Sequence, residues 1–410
     1  MSTDIIRSVR DLIRAHGKPE KEVYFDSENS GLIFPEALEE MIRRYRESGY
    51  GHPSITHKIG WESYEALFET TSKMADFIGG GMEEIVYTHS GTESNNLAIL
   101  GSAKANKTDK KKIIVSNIEH LSVILPAEEL KKGGYTVIKL PVDNEGLIDP
   151  DVLAREVDKD TFLVSISSVN HEIGAIQNMK ALVNVVKDKG QEIIFHTDAA
   201  DVLGKIPFNV EDLGVDLATF SSHKVYGPKG VGALYIRKGL EVERILYGQL
   251  STQKLWPGAE NVPAISGFGK AIEIIRTNFN DYKSKMERMR NMLIDGILSN
   301  VDHTLLNGPR GDRRAPDNVN ISFLYCEGEA ITVELSMEGI YVASGSACTS
   351  RTLEPSHVML AIGRQYEEAH GSVLMKVTPM HEEEDIKYVI DNVPGAIKRI
   401  RQISPIKGVE

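Results

Sequence analysis

The 410-residue sequence predicts an α/β protein in which a large domain with a parallel-rich sheet precedes a smaller α/β domain. Three features of the sequence support this prediction. Between residues 112 and 236, short apolar runs typical of buried strands alternate with segments of helical period. A long helical pattern at 264–299 is typical of a helix that bridges two domains. Beyond it, strand and helix patterns alternate again over a shorter length.

Each predicted strand is a short apolar run, bounded by turn-forming residues. In chain order these runs are 22–26, 84–88, 113–115, 136–140, 162–167, 193–196, 217–220, 232–236, 319–323, 341–343 and 373–377. Each predicted helix has apolar residues at helical spacing. The helices are 1–20, one that begins near Pro35, 61–78, one that begins at the turn 89–96, 123–130, 150–157, 180–189, 264–299, 330–337, 355–362 and 382–400.

From this order we expect an N-terminal helix at 1–20 and a large domain at 21–263. Residues 264–410 are predicted to form the bridging helix and a small C-terminal domain, which also takes in part of the N-terminal segment. With 41% hydrophobic residues, the chain is long enough to bury a large core.

The composition argues against several classes of protein. A net charge of −12 and a pI near 5.6 argue against a general nucleic-acid-binding surface. No apolar run is long enough to cross a bilayer, so we expect a cytoplasmic protein without membrane partners. The two cysteines, Cys326 and Cys348, are too few for a disulfide framework and are treated as thiols. No metal site is predicted.

Two predicted strands end beside residues that suit the cofactor pyridoxal phosphate. The run 217–220 leads to Lys224 in a Gly/Pro-rich loop, and the run 193–196 leads to Asp198. A desolvated lysine can form a Schiff base, and a carboxylate facing the pyridine nitrogen keeps that nitrogen protonated, so that the ring withdraws electrons. His120 and Asn170 also follow strand ends, where parallel α/β sheets bind ligands. Taken alone, the first pair is better explained as a solvated lysine and a turn aspartate.

Two further segments are candidates for holding the cofactor's phosphate. Ser221 and His223 flank Lys224, and Gly91 and Thr92 lie in a turn that begins a helix. Free backbone amides, a hydroxyl and the positive end of the helix dipole together suit a phosphate. Such turns are also ordinary helix caps, so this signal is weak by itself.

In this order, the residues resemble the cysteine desulfurases of the class V aminotransferase group. The resemblance covers nearly the whole chain and implies fold type I, with a mainly parallel seven-stranded sheet in the large domain. It is carried by Ser90-Gly-Thr-Glu-Ser-Asn-Asn96, Glu119-His120, Val169-Asn-His-Glu-Ile-Gly174, His196-Thr-Asp198, Ser221-Ser-His-Lys224, Tyr226-Gly-Pro-Lys-Gly230, Ser344-Gly-Ser-Ala-Cys-Thr-Ser350 and Glu354-Pro-Ser-His357.

The resemblance implies a role for each motif. Lys224 holds pyridoxal phosphate, Asp198 pairs with the ring nitrogen, and His120 stacks on the ring and assists proton transfer. Asn170 lies near the phenolic oxygen, while Thr92, Ser221 and His223 hold the phosphate. Cys348 accepts sulfur from L-cysteine as a persulfide, and alanine is released. The implied partners are a second copy of the chain and an iron–sulfur scaffold or tRNA-thiolation protein.

The substrate end of the pocket departs from the family pattern. Leu374 occupies the position of the arginine that clamps the substrate carboxylate, and losing such a charge-assisted pair costs a few kcal/mol of binding. Because side chains alternate along a strand, Lys376 is expected on the same face as Leu374 and is a candidate replacement. A solvated lysine at a strand end is the alternative interpretation.

Other positions near the substrate and cofactor differ as well. The family's Ala-Thr-Thr appears as Asn29-Ser-Gly31, and its loop asparagine before proline appears as His52. Asp201 replaces a glutamine that donates to the phenolic oxygen, and an aspartate donates only when protonated. The partner subunit's Ser-Gly-Thr, which completes the phosphate cup, corresponds to Pro257-Gly-Ala259, so one hydroxyl is lost.

Three functional hypotheses remain open at this point. The first is a cysteine desulfurase with an unusual carboxylate anchor. The second is a pyridoxal-phosphate lyase or sulfurtransferase that acts on a different thiol or selenol, including one without a free α-carboxylate. The third is a weakly active protein retained as a partner in sulfur delivery. Lys224 together with Cys348 argues against the third, and Leu374 argues against an unmodified first.

Overall fold

The computed structural model describes Asp11, Gly17 and residues 19–345 and 355–404. The predicted helix at 1–20 lies almost entirely outside the described residues, and so does Cys348. Fold, site and charges are therefore described for the remainder of the chain.

The strands follow the predicted order closely. They are β1 (Val23–Tyr24), β2 (Ile85–Thr88), β3 (Lys112–Ser116), β4 (Thr136–Leu140), β5 (Thr161–Ser165), β6 (Ile194–Asp198), β7 (Leu217–Ser221), β8 (Gly232–Ile236), β9 (Thr304–Leu306), β10 (Asn318–Phe323), β11 (Ile340–Tyr341), β12 (Ala343–Ser344) and β13 (Ser372–Lys376).

The α-helices lie between these strands. They are α1 (Pro35–Glu47), α2 (Lys58–Ile78), α3 (Gly91–Asn96), α4 (Ser102–Ala105), α5 (Leu121–Leu130), α6 (Pro150–Glu156), α7 (Met179–Lys189), α8 (Val210–Leu213), α9 (Val262–Asn300), α10 (Gly328–Met337), α11 (His357–Ala361), α12 (Tyr366–His370) and α13 (Glu383–Ile403). A π-helical turn, Leu97–Gly101, joins α3 to α4. The described part contains no helix with the length and apolar character needed to span a bilayer.

The large sheet has seven strands in the order β2-β8-β7-β6-β5-β3-β4. Only β8 is antiparallel to its neighbours, so the predicted mainly parallel sheet is confirmed. β3, β5 and β7 are buried along most of their length because helices cover both faces, as is typical of parallel sheets. The carboxyl ends of β3, β5, β6 and β7 therefore meet along one edge.

The small sheet is antiparallel, in the order β12-β13-β10-β9. β1 pairs in parallel with β11, and Val23 and Phe25 pack into the same apolar core as α9 and α13. The N-terminal segment thus crosses from this core to α1, and residues 26–31 lie between the two regions. That crossing brings Glu28 to the edge of the large sheet.

Three features of the fold differ from the sequence prediction. The single strand expected at 341–343 is two short strands in different sheets, because β11 pairs with β1 while β12 pairs with β13. The helix α9 runs from 262 to 300, but Asn278 has non-helical φ and ψ angles, which marks a kink. The short elements β9 and α12 were not predicted.

Candidate active site

A cavity of about 230 Å³ opens at the carboxyl ends of the central strands. Nine of the residues predicted from the sequence line it: Asn29, Gly91, Thr92, His120, Asp198, Asp201, Ser221, His223 and Lys224. The cavity wall also includes residues that were not predicted as site residues: Glu28, Ser90, Asn95, Ser122, Ser167, Val169, His171 and Ala200. The fold thus brings together six chain segments that are separated in sequence.

Lys224 reaches the cavity from a tight turn at the end of β7. A 3₁₀ turn, Ser222–Val225, follows the strand, and Tyr226 then has a φ of 62°, a left-handed conformation uncommon for a bulky residue. This conformation is held in place because the Tyr226 ring packs on Phe34 and its carbonyl accepts the Phe34 N–H at 2.9 Å. The lysine is therefore presented by a turn that the surrounding core fixes.

Two carboxylates accept the Lys224 ammonium. Its Nζ contacts Oε1 of Glu28 and lies 3.3 Å from Oδ2 of Asp201. Both acids belong to a larger buried network of alternating charge, whose members in the described chain are Glu28, Asp201, Asp317, Lys205, Lys224 and Lys376. Three acids and three lysines make this network neutral as a whole.

The pKa values in the network favour the charged forms. Burial and Asp201 act to raise the pKa of Glu28, but Lys224 and Lys376 outweigh them and hold it below its ordinary value. Burial likewise opposes ionisation of Asp201, yet Lys205, Lys224 and Lys376 hold its pKa well below the usual range. Burial acts to lower the pKa of Lys376, but Asp201, Asp317 and Glu28 raise it overall.

Asp198, the last residue of β6, also lines the cavity. Its Oδ2 accepts from Asn95 Nδ2 at 2.8 Å and its Oδ1 from the Ala200 N–H at 3.0 Å. Asn95 also donates to Ser122 Oγ at 2.8 Å. Burial raises the pKa of Asp198, while these two hydrogen bonds and His120 act against the rise. The Asp198 carboxylate could therefore accept a further hydrogen bond from a cationic N–H inside the cavity.

His120 caps α5 and stands between Asp198 and His171. The Ser122 N–H donates to His120 Nδ1 at 3.1 Å, so the neutral ring carries its proton on Nε2. Its ring meets the His171 ring edge to face, with centroids 5.1 Å apart. Burial lowers the pKa of His120, and burial with His120 lowers that of His171 well below its usual range, so both rings are neutral at pH 7.

The third wall is suited to an anion. Ser90 caps α3 by accepting the Glu93 N–H at 3.2 Å, and the N–H groups of the first turn have no partner within the helix. A side chain at position 91 would crowd this wall, since its Cβ would lie 3.2 Å from the Cβ of Ser221. Glycine at this position therefore leaves the space free. His223 is neutral, since burial and Lys224 lower its pKa to about 4. Its Nδ1 accepts the Gly31 N–H at 3.3 Å, which leaves Nε2 as the proton-bearing atom.

The donor set fits pyridoxal phosphate. An amine, an oriented carboxylate and a helix N-terminus with hydroxyl groups lie on three walls of one cavity, as the aldehyde, the ring nitrogen and the phosphate require. The oxygen Oδ1 of Asn95 is also buried and accepts no hydrogen bond from the described residues. Buried polar atoms in proteins almost always have a hydrogen-bond partner. An unpaired acceptor in this cavity is therefore consistent with a bound polar group as its partner.

Four predicted site residues do not line the cavity. Asn170, expected near the phenolic oxygen, uses Nδ2 to donate to the Ile118 carbonyl and Oδ1 to accept two backbone N–H groups, so it braces its own loop. His52 lies in a separate surface depression and accepts from Ser54. Leu374 is buried within the small sheet, where its Cα pairs with those of Asn320 and Ala343.

Lys376 is neither a solvated lysine nor a cavity residue. Its side chain is 2% exposed, and its Nζ lies 3.1 Å from Asp201 Oδ1, 3.2 Å from Glu28 Oε2 and 3.6 Å from Asp317 Oδ2. The interpretation as an exposed strand-end lysine is therefore wrong. As a carboxylate anchor, Lys376 is already occupied by the protein's own acids.

Of the eight wall residues that were not predicted, Glu28, Asn95 and His171 make the side-chain contacts to the predicted site residues described above. Asn95 and His171 lie inside motifs that carry the family resemblance, one helical turn and one residue from predicted site positions. Their position near the cavity could therefore have been predicted. Glu28 precedes Asn29, which was predicted, but its contact with Lys224 joins positions 196 residues apart. No local pattern reports such a contact.

The two cysteines differ in what the structure describes. Cys326 is a buried free thiol, and burial raises its pKa, which agrees with the expectation of a small hydrophobic residue. Cys348 is outside the described residues, but both flanks of its loop are described. Gly345 donates to the Ser372 carbonyl at 2.9 Å, and Ser356 donates to Glu172 Oε2 at 2.6 Å.

Comparison with known proteins agrees with this geometry. The family model described as aminotransferase class-V matches residues 23–389. The chain therefore belongs to the class-V aminotransferase family. Membership of this family confirms the predicted resemblance and the prediction of pyridoxal phosphate as the cofactor.

Named relatives in this family are similar along nearly their whole length. The chain is 40% identical over 383 residues to cysteine desulfurase IscS 1 of Archaeoglobus fulgidus, which covers 93% of this chain and 99% of that protein. It is 42% identical over 387 residues to cysteine desulfurase IscS of Dictyoglomus turgidum, with coverage of 94% and 97%. A solved structure described as a NifS-like protein has a TM-score of 0.86 at 33% identity, covering 92% of this chain and 100% of that chain.

Proposed function

We propose that this family member is a pyridoxal-phosphate-dependent cysteine desulfurase, which takes sulfur from cysteine and passes it on through Cys348. The observation that carries the proposal is the shared cavity, in which Lys224, Asp198 and the anion-suited turn at Gly91 occupy three walls. The relatives of 40% and 42% identity, both named cysteine desulfurase, support the same activity.

Each wall residue has a task that follows from its contacts. Bound pyridoxal phosphate would supply an electron sink for the carbon that bears the substrate's amino group. Asp198, fixed by Asn95, would hold the protonated ring nitrogen. His120 carries a proton on Nε2, and its lowered pKa keeps the ring neutral at pH 7, so that Nε2 can donate this proton to a group in the cavity. Glu28 and Asp201 would accept the protons of an amine at the position of Lys224 Nζ.

Sulfur transfer balances without an external oxidant. The C–S bond of cysteine breaks, an S–S bond to the Cys348 sulfur forms, and a proton replaces sulfur on the carbon, which gives alanine and an enzyme persulfide. Two molecules of a thiol reductant then release hydrogen sulfide and restore the Cys348 thiol as they form a disulfide.

The segment that follows the Cys348 loop is anchored beside the cavity. Ser356 donates to Glu172, the neighbour of His171, and His357 Nε2 donates to the Glu119 carbonyl at 2.9 Å, next to His120. Sulfur transfer requires Cys348 to approach a bound substrate, and these two anchors hold the segment that follows its loop close to the cavity wall.

Association and location belong to the same proposal. Three aromatic residues of α2, Trp61, Tyr64 and Phe68, lie side by side in a row and are 57%, 38% and 54% exposed. Such a row supports a homodimer, because monomeric proteins rarely leave large apolar patches uncovered. We also propose a cytoplasmic location and delivery of sulfur to an iron–sulfur scaffold or tRNA-thiolation protein.

The test is anaerobic release of alanine and sulfide from L-cysteine by cofactor-loaded protein with a thiol reductant. We expect equal amounts of the two products, loss of both in Cys348→Ser, and retention of both in the matched control Cys326→Ser. Undiminished sulfide from Cys348→Ser would overturn the persulfide route. If neither L-cysteine nor L-cysteinamide releases sulfide, the desulfurase proposal is wrong.

A further inference from the structure

The charges that line the cavity are unusual for a site that binds an amino acid. Among the described wall residues, the acidic side chains are Glu28, Asp198 and Asp201, and the one cationic side chain is Lys224. The three histidines of the wall are neutral at pH 7, because burial lowers their pKa values. The described wall thus offers a substrate carboxylate no cation other than the lysine that the cofactor requires.

The other two lysines of the described charge network are not available to a ligand. Lys205 and Lys376 are 3% and 2% exposed and lie behind the two acids of the wall. Lys205 is held by Asp201 at 2.7 Å and by Asp317 at 2.8 Å. Turning either lysine toward the cavity would leave buried carboxylates unpaired, which is strongly unfavourable.

Glu28 is placed rigidly, which separates it from an ordinary surface acid. Its segment is pinned to the cavity because the Gly31 N–H donates to His223, and a Cβ at Gly31 would collide with the His223 carbonyl. Asn29 also donates to Asp26 at 2.7 Å, closing the turn around Glu28. The carboxylate is 9% exposed, and its Oε2 forms an ion pair with Lys376 at 3.2 Å but accepts no hydrogen bond from the described residues.

Glu28 and Asp201 flank the same ammonium position, but the negative charge of Asp201 is neutralised by more lysines than that of Glu28. Asp201 is shared by three lysines, whereas Glu28 has Lys224 at its Oε1 and Lys376 at 3.2 Å from its Oε2. A Lys224 nitrogen that holds the cofactor would offer Glu28 at most one N–H, where the free ammonium offers three. A substrate ammonium can take that place, whereas a substrate carboxylate beside it meets like charge.

We propose that Glu28 is a specificity residue that makes this site prefer cysteine compounds with a free amino group and a neutral carboxyl group, such as an amide or an N-terminal peptidyl cysteine. The inference rests on the proposed desulfurase function and names its substrate class. The neutral carbonyl keeps the adjacent C–H acidic, so the same chemistry remains accessible. The desulfurised product of L-cysteinamide is then L-alaninamide, and the thiol reductant again supplies the two electrons that release sulfide.

The test compares L-cysteine with L-cysteinamide on cofactor-loaded wild type, Glu28→Gln and Glu28→Asp. For wild type we expect kcat/KM for the amide to exceed that for the acid by about tenfold or more. Glu28→Gln, a neutral replacement of the same size, is expected to remove most of this preference, chiefly by lowering KM for L-cysteine. Glu28→Asp keeps the charge and is expected to keep the preference, which a merely structural role would not produce.

Binding without turnover is measured separately with the thiol-free analogues L-alanine and L-alaninamide, from the change in cofactor absorbance. Tighter binding of the amide by wild type, reduced in Glu28→Gln, supports the inference. Equal binding, or tighter binding of L-alanine, overturns it even when L-cysteine releases sulfide, in which case the desulfurase function stands. Selective binding of L-alaninamide without sulfide from any substrate supports the charge selectivity and overturns the desulfurase function.

Discussion

Replacing Lys376 by methionine tests whether the buried charge network stabilises the fold as the contacts indicate. The ammonium lies within 3.6 Å of three carboxylates and is 2% exposed. Methionine fills a similar volume but carries no charge, so three acids would share the two remaining lysines. The variant therefore isolates the electrostatic part of the interaction.

The expected loss follows from the geometry. One ion pair at about 4 Å contributes about 4 kcal/mol at an effective dielectric constant near 20. Breaking a buried pair from one side costs about 3–5 kcal/mol, because an uncompensated charge stays in the interior. Scaled by the unfolding entropy of a chain of this length, that loss lowers the melting temperature by about 3–6 °C.

The assay is thermal unfolding at several pH values, followed by circular dichroism. Asp201 has a lowered folded-state pKa, so its contribution to stability is present above the unfolded pKa and is lost as the pH falls through the folded value. Without Lys376 the acids regain protons at higher pH, so the deficit of the variant shrinks as the pH falls from neutral toward about 4.

A matched control is Lys238→Met, because this lysine is 78% exposed and pairs with Glu83 at 3.2 Å on the surface. We expect no measurable change in its melting temperature. An equally small change in Lys376→Met, or a deficit that is constant from pH 8 to pH 5, would refute the assignment of a buried, ionised network.

Three further perturbations test other parts of the site. Burial raises the pKa of Glu119 to about 8, whereas a glutamate in the unfolded chain has a pKa of about 4.3. Between these two pH values the folded protein holds a proton that the unfolded chain has lost. Stability should fall as the pH rises through this window, and Glu119→Gln should flatten that fall in thermal unfolding. Asn95→Ala removes the donor to Asp198 and should weaken cofactor binding about tenfold in a fluorescence titration; unchanged affinity would contradict the role of that bond. Gly31→Ala should lower both the melting temperature and cofactor retention, because its Cβ would collide with the His223 carbonyl; a fully stable, loaded variant would show that the contact relaxes freely.

Much of the architecture was predictable because it depends on local pattern. β4 and β8 have the predicted limits, and the remaining strands of the large sheet differ by one or two residues at their ends. Apolar runs bounded by turn formers report a buried strand without reference to its neighbours. Since parallel strands end at one edge of the sheet, the grouping of His120, Asp198 and Lys224 also follows from their positions after strand ends.

The sequence by itself determined the fold class, the family and the residues that suit the cofactor. The tertiary structure alone decided which charges meet. Lys376 belongs to β13, Glu28 to the N-terminal crossing and Lys205 to a turn after β6, yet all three belong to one buried network, in which the two lysines share Asp201 and Asp317. The partner of a long charged side chain is set by three-dimensional packing and has no sequence period. For this reason the sequence does not indicate that Glu28 contacts Lys224, or that Lys376 is buried among three carboxylates.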